Sequence, residues 1–344
     1  MKILHWVWVL VLLTACGPTK KKVLPPSTPH WVAVERITSA HLRGLHCVDD
    51  SVAWASGTEG TVMLLSDGIH WKDVSISTAR GKDLRDVHGF DAQTAVAMSS
   101  GNGVAIYRTR DAGATWVPVY EDTNQSVFYD GIDFNANGLG VAYGDPIDGR
   151  MALLVSMDFG ANWEAVVDSL RPPMDSNEAG YAASGTGIVV QEDRILVATG
   201  GGPKSRILVF DPSLNLVAQH LVPIETNPGS GIFSIAALSA DNIIAVGGSY
   251  MDSTASSSNC AVTIDGNAWI PITVQNPRGY RSCIAVSRTG EYLISVGRTG
   301  SDYSTDAGLT WRSMGDEGYF TCDLYSKSGW AAGRNGKLAR LEWK

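Results

Sequence analysis

The segment "TRDAGATW" (109–116) recurs as "SMDFGANW" (156–163) and "STDAGLTW" (304–311), with weaker copies in "LSDGIHW" (65–71) and "TIDGNAW" (263–269). Aligned on the closing tryptophan, Trp71, Trp116 and Trp163 stand 45 and 47 residues apart, and Trp269 and Trp311 stand 42 apart. The 106 residues from Trp163 to Trp269 hold two repeats, with a decayed copy, "VFDPSLNLV" (209–217), at their middle. Trp31 lies 40 residues before Trp71. A fixed period of about 40–50 residues means a propeller or a solenoid, in which one supersecondary unit is laid down again and again.

Each unit follows one order. An apolar strand a ("LRGLHCV", "LRDVHGF") precedes a Gly-terminated strand b ("AWASG", "VAMSSG", "LISVG", "GWAAG"). A strand c ("GVAIYRT"), the octapeptide and a strand d ("WVPVYE") complete it. Strands this short, evenly spaced and parted by Gly, Asn and Asp, predict an all-β protein of four-stranded blades. The last unit, "GWAAGRNGKLARLEWK", stops where its octapeptide should begin, while "HWVAVERI" (30–37) matches "TWVPVYED". The N-terminal strand is therefore expected to complete the C-terminal blade. That gives a seven-bladed β-propeller, closed by the N-terminal strand joining the C-terminal blade, with only short, protected sheet edges.

The octapeptide has a structural reading. Asp67, Asp111, Asp158, Asp265 and Asp306 can accept backbone N–H bonds inside a tight turn. Gly113, Gly160 and Gly308 supply the positive φ that such a corner needs. Trp116, Trp163 and Trp311 are large apolar bodies suited to packing between blades. These are turns rather than active sites.

The chain opens "MKILHWVWVLVLLTACG", a secretory signal too short for a comfortable transmembrane span. Its ending, Leu13-Thr14-Ala15-Cys16, resembles a bacterial lipobox, in which Cys16 becomes the lipidated N-terminus. The expected division is a lipoprotein signal peptide over 1–16, a basic Pro-rich tether over 17–30, and the propeller over 31–344. The expected location is that of an exported bacterial lipoprotein, membrane-anchored on the periplasmic side or the cell surface. Of 27 Lys and Arg, four precede residue 30, and none of the 35 acids does, so the remainder carries −12 formal charges. An acidic body argues against nucleic acid as the partner. Cys47, Cys260, Cys283 and Cys322 lack the paired short spacing of a zinc site and read as buried small residues, with one disulfide open to them.

With these motifs in view, the chain resembles the sialidase-like, BNR-repeat superfamily of Asp-box propellers. It is most similar to the photosystem II stability and assembly factor (Ycf48-like) group and its non-photosynthetic bacterial relatives. The resemblance covers residues 31–344 and rests on the octapeptides, on "GWAAGRNGKLARL" (329–341) and on "VGRTGSDYSTDAGLTW" (296–311). It implies a protein-binding or assembly scaffold with arginines clustered on one face. An oxidoreductase finds no motif: "GTGIVV" (185–190) and "GNGVAI" (101–106) lead into strands, not into the helix of a dinucleotide fingerprint. No cofactor and no metal are expected, and a monomer is.

Alignment of the a strands puts Arg43, Arg85, Asp130, Ala183, Phe233, Arg281 and Phe320 at one equivalent position beside the channel mouth. Arg43, Arg85 and Arg281, extended by Arg298 and Arg334 from the b–c loops of blades 6 and 7, are the candidate site for an anionic ligand or an acidic protein partner. The competing reading is that each arginine pairs with a neighbouring acid, such as Asp86 or Asp302. The alternative function, a sialidase-superfamily carbohydrate-active enzyme or glycan-binding protein, needs a Tyr nucleophile, a Glu and an Asp acid/base. Weak candidates are Asp130, Glu178, Tyr181, Tyr280 and Tyr303. Against it, "ERIT" (35–38) lacks the proline of the sialidase Arg-Ile-Pro motif, and sialidases have six blades.

Overall fold

The computed structural model describes residues 28–344 apart from Asn102. The leader, Cys16 and most of the tether lie outside the described residues. Seven four-stranded antiparallel sheets form a ring of blades. Blade 1 shows the pattern: Leu42–Cys47 (a), Ala53–Gly57 (b), Val62–Leu65 (c) and Trp71–Asp73 (d). Blades 2 to 6 follow at 83–122, 129–165, 188–221, 230–271 and 283–315. Blade 7 takes strands a to c from 321–343 and strand d from Pro29–Ala33, with Trp31 opposite Leu341. The propeller thus begins two residues before the expected boundary. Its closure holds the two ends of the chain side by side, with Thr28 and Lys344 exchanging backbone bonds at 3.0 Å.

The octapeptide turns form as their chemistry requires. Asp111 accepts from the Thr115 N–H at 2.8 Å, and Asp306 from the Thr310 N–H and hydroxyl at 2.9 and 2.6 Å. The decayed copy keeps the same device: Asp211 accepts from the N–H groups of Ser213 and Asn215. Gly113, Gly160 and Gly308 have φ of 80°, 73° and 85°, where a Cβ would be strained. Each tryptophan then packs against the preceding blade. Trp116 meets Trp54 edge-on at 6.0 Å, and Trp71 meets Trp330 at 5.2 Å.

Strands a line the channel and are tied sideways from blade to blade. One position bonds the next blade's backbone through Asp323 to Cys47 N–H (2.6 Å), His46 to Gly89 N–H (3.1 Å) and Asp133 to Val190 N–H (2.7 Å). A second position does so through Asp86 to Ile132 N–H and Ser234 to Ile284 N–H, both 2.9 Å. Buried polar residues in the channel are thereby satisfied as inter-blade ties. His46 and His88 belong to this layer, stacked at 4.1 Å; burial, then His88, holds the His46 ring well below its ordinary pKa. The four cysteines are buried and unpaired.

Candidate functional site

Antiparallel order puts the start of every strand a on the same face as the b–c loops, opposite the octapeptide turns. At that start the pairing slips by one residue between Leu42 and Gly44, Leu84 and Asp86, Tyr129 and Gly131, and Ile232 and Ser234. The extra residues are Arg43, Arg85, Asp130 and Phe233. A bulge re-aims one side chain out of the pleat, and here it turns each of them toward the mouth.

Arg281 departs from the expected register. Its N–H bonds the Gly247 carbonyl as that of Leu42 bonds Gly333, so Arg281 occupies the buried position before the bulge. A shift of one residue sends a strand's side chain to the opposite face. Arg281 is 0% exposed, ion-paired with Asp302, and donates to the Tyr280 carbonyl and the Thr299 hydroxyl at 3.0 Å. The competing reading holds for this residue: it stitches the structure. The spacing to the glycine that ends strand b does not give this away: it is 14 residues from Arg43, Asp130 and Phe233 and 16 from Arg281, but it is also 16 from Arg85 to Gly101, and Arg85 does sit on a bulge. Ala183 also leaves the alignment, because strand a of blade 4 begins only at Ile188.

The segment 182–187 instead lies across the centre of the ring. The Ala182 carbonyl accepts from Arg85 (3.0 Å), Ser184 donates to the Ser282 carbonyl (2.8 Å), and Thr186 bonds Ser234 (2.6 Å). Gly185, at φ 77°, sits against the Asp86 carboxyl where no side chain would fit. Blades 2, 5 and 6 hold this plug, which floors the mouth. As a sequence, "DSLRPPMDSNEAGYAASG" (168–185) reads only as a long polar loop.

The arginines that reach the mouth are Arg43, Arg85, Arg298 and Arg334. Arg43 and Arg334 both lie over the Phe320 ring, at 4.8 and 5.8 Å, and Arg85 lies over Phe128 at 5.6 Å. Arg298 and Arg334 share with Phe320 a cavity of about 400 Å³. Asp83 is the acid among them, 2.8 Å from Arg85 Nε and 3.8 Å from Arg43 Nε. Neither nitrogen is aimed at it well enough for a hydrogen bond. Among the described residues Arg298 and Arg334 have no ion-pair partner. Burial, then the nearby Arg85, depress the Arg43 pKa, against an opposing pull from Asp83. Phe320 is the centre that the sequence reading passed over, although it stood in the aligned column with the arginines.

The other half of the mouth is aromatic. Tyr181 stacks on Phe233 at 3.8 Å, and Tyr280 meets Phe233 edge-on at 4.7 Å. Asp130 is 2% exposed, and burial followed by Asp145 raises its pKa; burial pushes Asp145 up to about 6. Glu178 and Tyr303 are elsewhere. Glu178 is buried in an ion pair with Arg206, and Tyr303 is inside blade 6, opposite Ile294 and Arg312. Of the five residues proposed for glycoside hydrolysis, Asp130, Tyr181 and Tyr280 lie near one another and Glu178 and Tyr303 do not join them.

No protein-family model and no curated protein sequence matches this chain. Solved structures do. A YCF48 structure bound to a D1 peptide aligns over 90% of this chain and 94% of that one, with 16% identity and a TM-score of 0.63. YCF48 from Cyanidioschyzon merolae aligns over 91% and 99%, again with 16% identity and a TM-score of 0.63. The WD40 propeller domain of Doa1 gives 12% identity and a TM-score of 0.64 over 92% and 97%. At such identities the likeness is one of fold.

Proposed function

We propose that this propeller is a non-catalytic protein-binding or assembly scaffold whose mouth takes an anionic segment of a partner polypeptide. The observation that carries the reading is the group of four guanidiniums with Asp83 between two of them. Three lie over aromatic rings; Arg85 is also held by the Ala182 carbonyl and Asp83, whereas Arg43 and Arg334, over Phe320, keep N–H groups for a carboxylate. The YCF48 fold, seen with a D1 peptide bound, supports a polypeptide as the ligand class. Lipidation of Cys16 would hold the scaffold at a membrane of the exported compartment, as a periplasmic or cell-surface protein.

The test is a pull-down from gently solubilised native membranes with wild type beside the Arg43/Arg298/Arg334→Gln variant. Arg281 is left intact because it is structural. A partner retained by wild type and lost by the variant is the expected result. Identical recovery by both would remove the mouth from the account.

A further inference from the structure

The mouth cavity continues outward. Tyr319 and Lys337, which line it beside Phe320, also line a second cavity of about 330 Å³ in the seam between blades 6 and 7. This is the seam where the ring closes without a covalent c–d turn, because strand d of blade 7 arrives from the N-terminus. Its apolar floor is Trp31, Val34, Met314 and Leu338. Trp31 is fixed there by an Nε1 bond to Ser301 (3.1 Å) and by Tyr319, 5.8 Å away.

The charge of the seam is one-sided. Glu317, the acid in its lining, is paired with Lys337, and Lys337 also lies over the Tyr319 ring at 5.3 Å. Arg36 is exposed in the same lining and has no ion-pair partner among the described residues. His30 adds a buried Nδ1 without a hydrogen-bond partner.

We propose that the seam carries an extended, acidic segment of the partner, running out from the mouth between blades 6 and 7 with an apolar side chain over Trp31 and Met314. The inference rests on the mouth being the anion site. It adds that the partner is recognised by an acidic–apolar stretch and not by a terminal carboxylate alone. Charge complementarity favours such a segment: its acids meet Arg36 outside and Arg298 and Arg334 inside, while the carboxylate of the lining, Glu317, is already paired with Lys337.

Two fluorescein-labelled probes separate the claims by anisotropy titration. One is tri-glutamate, long enough for the mouth. The other is an octapeptide of sequence Glu-Glu-Leu-Glu-Leu-Glu-Glu-Glu. The Arg36→Glu/Met314→Glu variant is expected to weaken the octapeptide at least about tenfold, equivalent to roughly 1.4 kcal/mol, and to leave tri-glutamate unchanged. Arg298→Gln/Arg334→Gln is expected to weaken both. If the seam variant binds the octapeptide like wild type while the mouth variant does not, the seam is overturned and the mouth stands. If wild type binds neither probe, both are overturned. Arg36→Gln alone, which touches no packed side chain of the floor, repeats the seam test should the double variant fail to fold.

Discussion

On the octapeptide face, Asp158 accepts from the Asn162 N–H and amide at 2.9 and 2.6 Å and from the Ser156 hydroxyl at 3.0 Å, and its sister aspartates are bonded likewise. On the mouth face, four guanidiniums have Asp83 between two of them and rings beneath three. Both faces are rich in charge. In the turns each charge is satisfied within its own eight residues, and it serves to hold a corner. At the mouth the charge is left over after folding, and leftover charge of one sign is available to a partner. The same contrast separates two arginines that the sequence aligns: Arg43 lies over Phe320, whereas Arg281 is shut in with Asp302.

Stability measurements can break that contrast. Arg281→Leu leaves Asp302 buried at 2% side-chain exposure with Arg278 as its remaining cation, and should cost about 3–5 kcal/mol in urea unfolding. Arg43→Gln and Arg334→Gln should each stay within about 1 kcal/mol of wild type. A comparable loss at Arg43 would make the mouth arginines structural after all.

The inner layer, between the two faces, should show itself through pH. Burial raises the Asp323 carboxyl from 3.8 to about 6. Between those values the folded state keeps a proton that the unfolded state has lost, so this group's contribution falls as pH rises through the window. Replacing it by Asn removes the titration. Relative to wild type, Asp323→Asn should therefore gain up to roughly 3 kcal/mol between pH 4 and pH 7 in denaturation curves. A constant difference across that range would mean that Asp323 titrates normally.

The smallest effect belongs to the turns. Asp306→Ala removes hydrogen bonds that water competes for, and should cost about 1 kcal/mol in thermal or urea unfolding. It should not change recovery of any partner. Loss of a partner with Asp306→Ala would blur the division between the faces.

Much of the fold was legible because the repeat is carried by residues whose roles are local. Asp, Gly and Trp in the octapeptide act within one turn and its neighbouring blade, so their spacing fixes the blade count and the closing strand. The site was less legible because it depends on strand register, which one inserted residue changes. "LRGLHCV" and "YRSCIAV" look alike, yet Arg281 takes the buried position one place earlier, and nothing local marks the difference. The plug at 182–187 was harder still. Its bonds run to Arg85, Ser234 and Ser282, far away in sequence, and nothing local announces them.

The most direct test compares the faces in one experiment. A photo-crosslinking phenylalanine is placed at position 320, in the mouth, and separately at position 309, where Leu309 is exposed on an octapeptide turn. Both proteins are irradiated in native membranes. The account predicts a defined protein adduct from position 320, absent once Arg298 and Arg334 are changed to Gln, and none from position 309. An adduct from position 309 alone would contradict it.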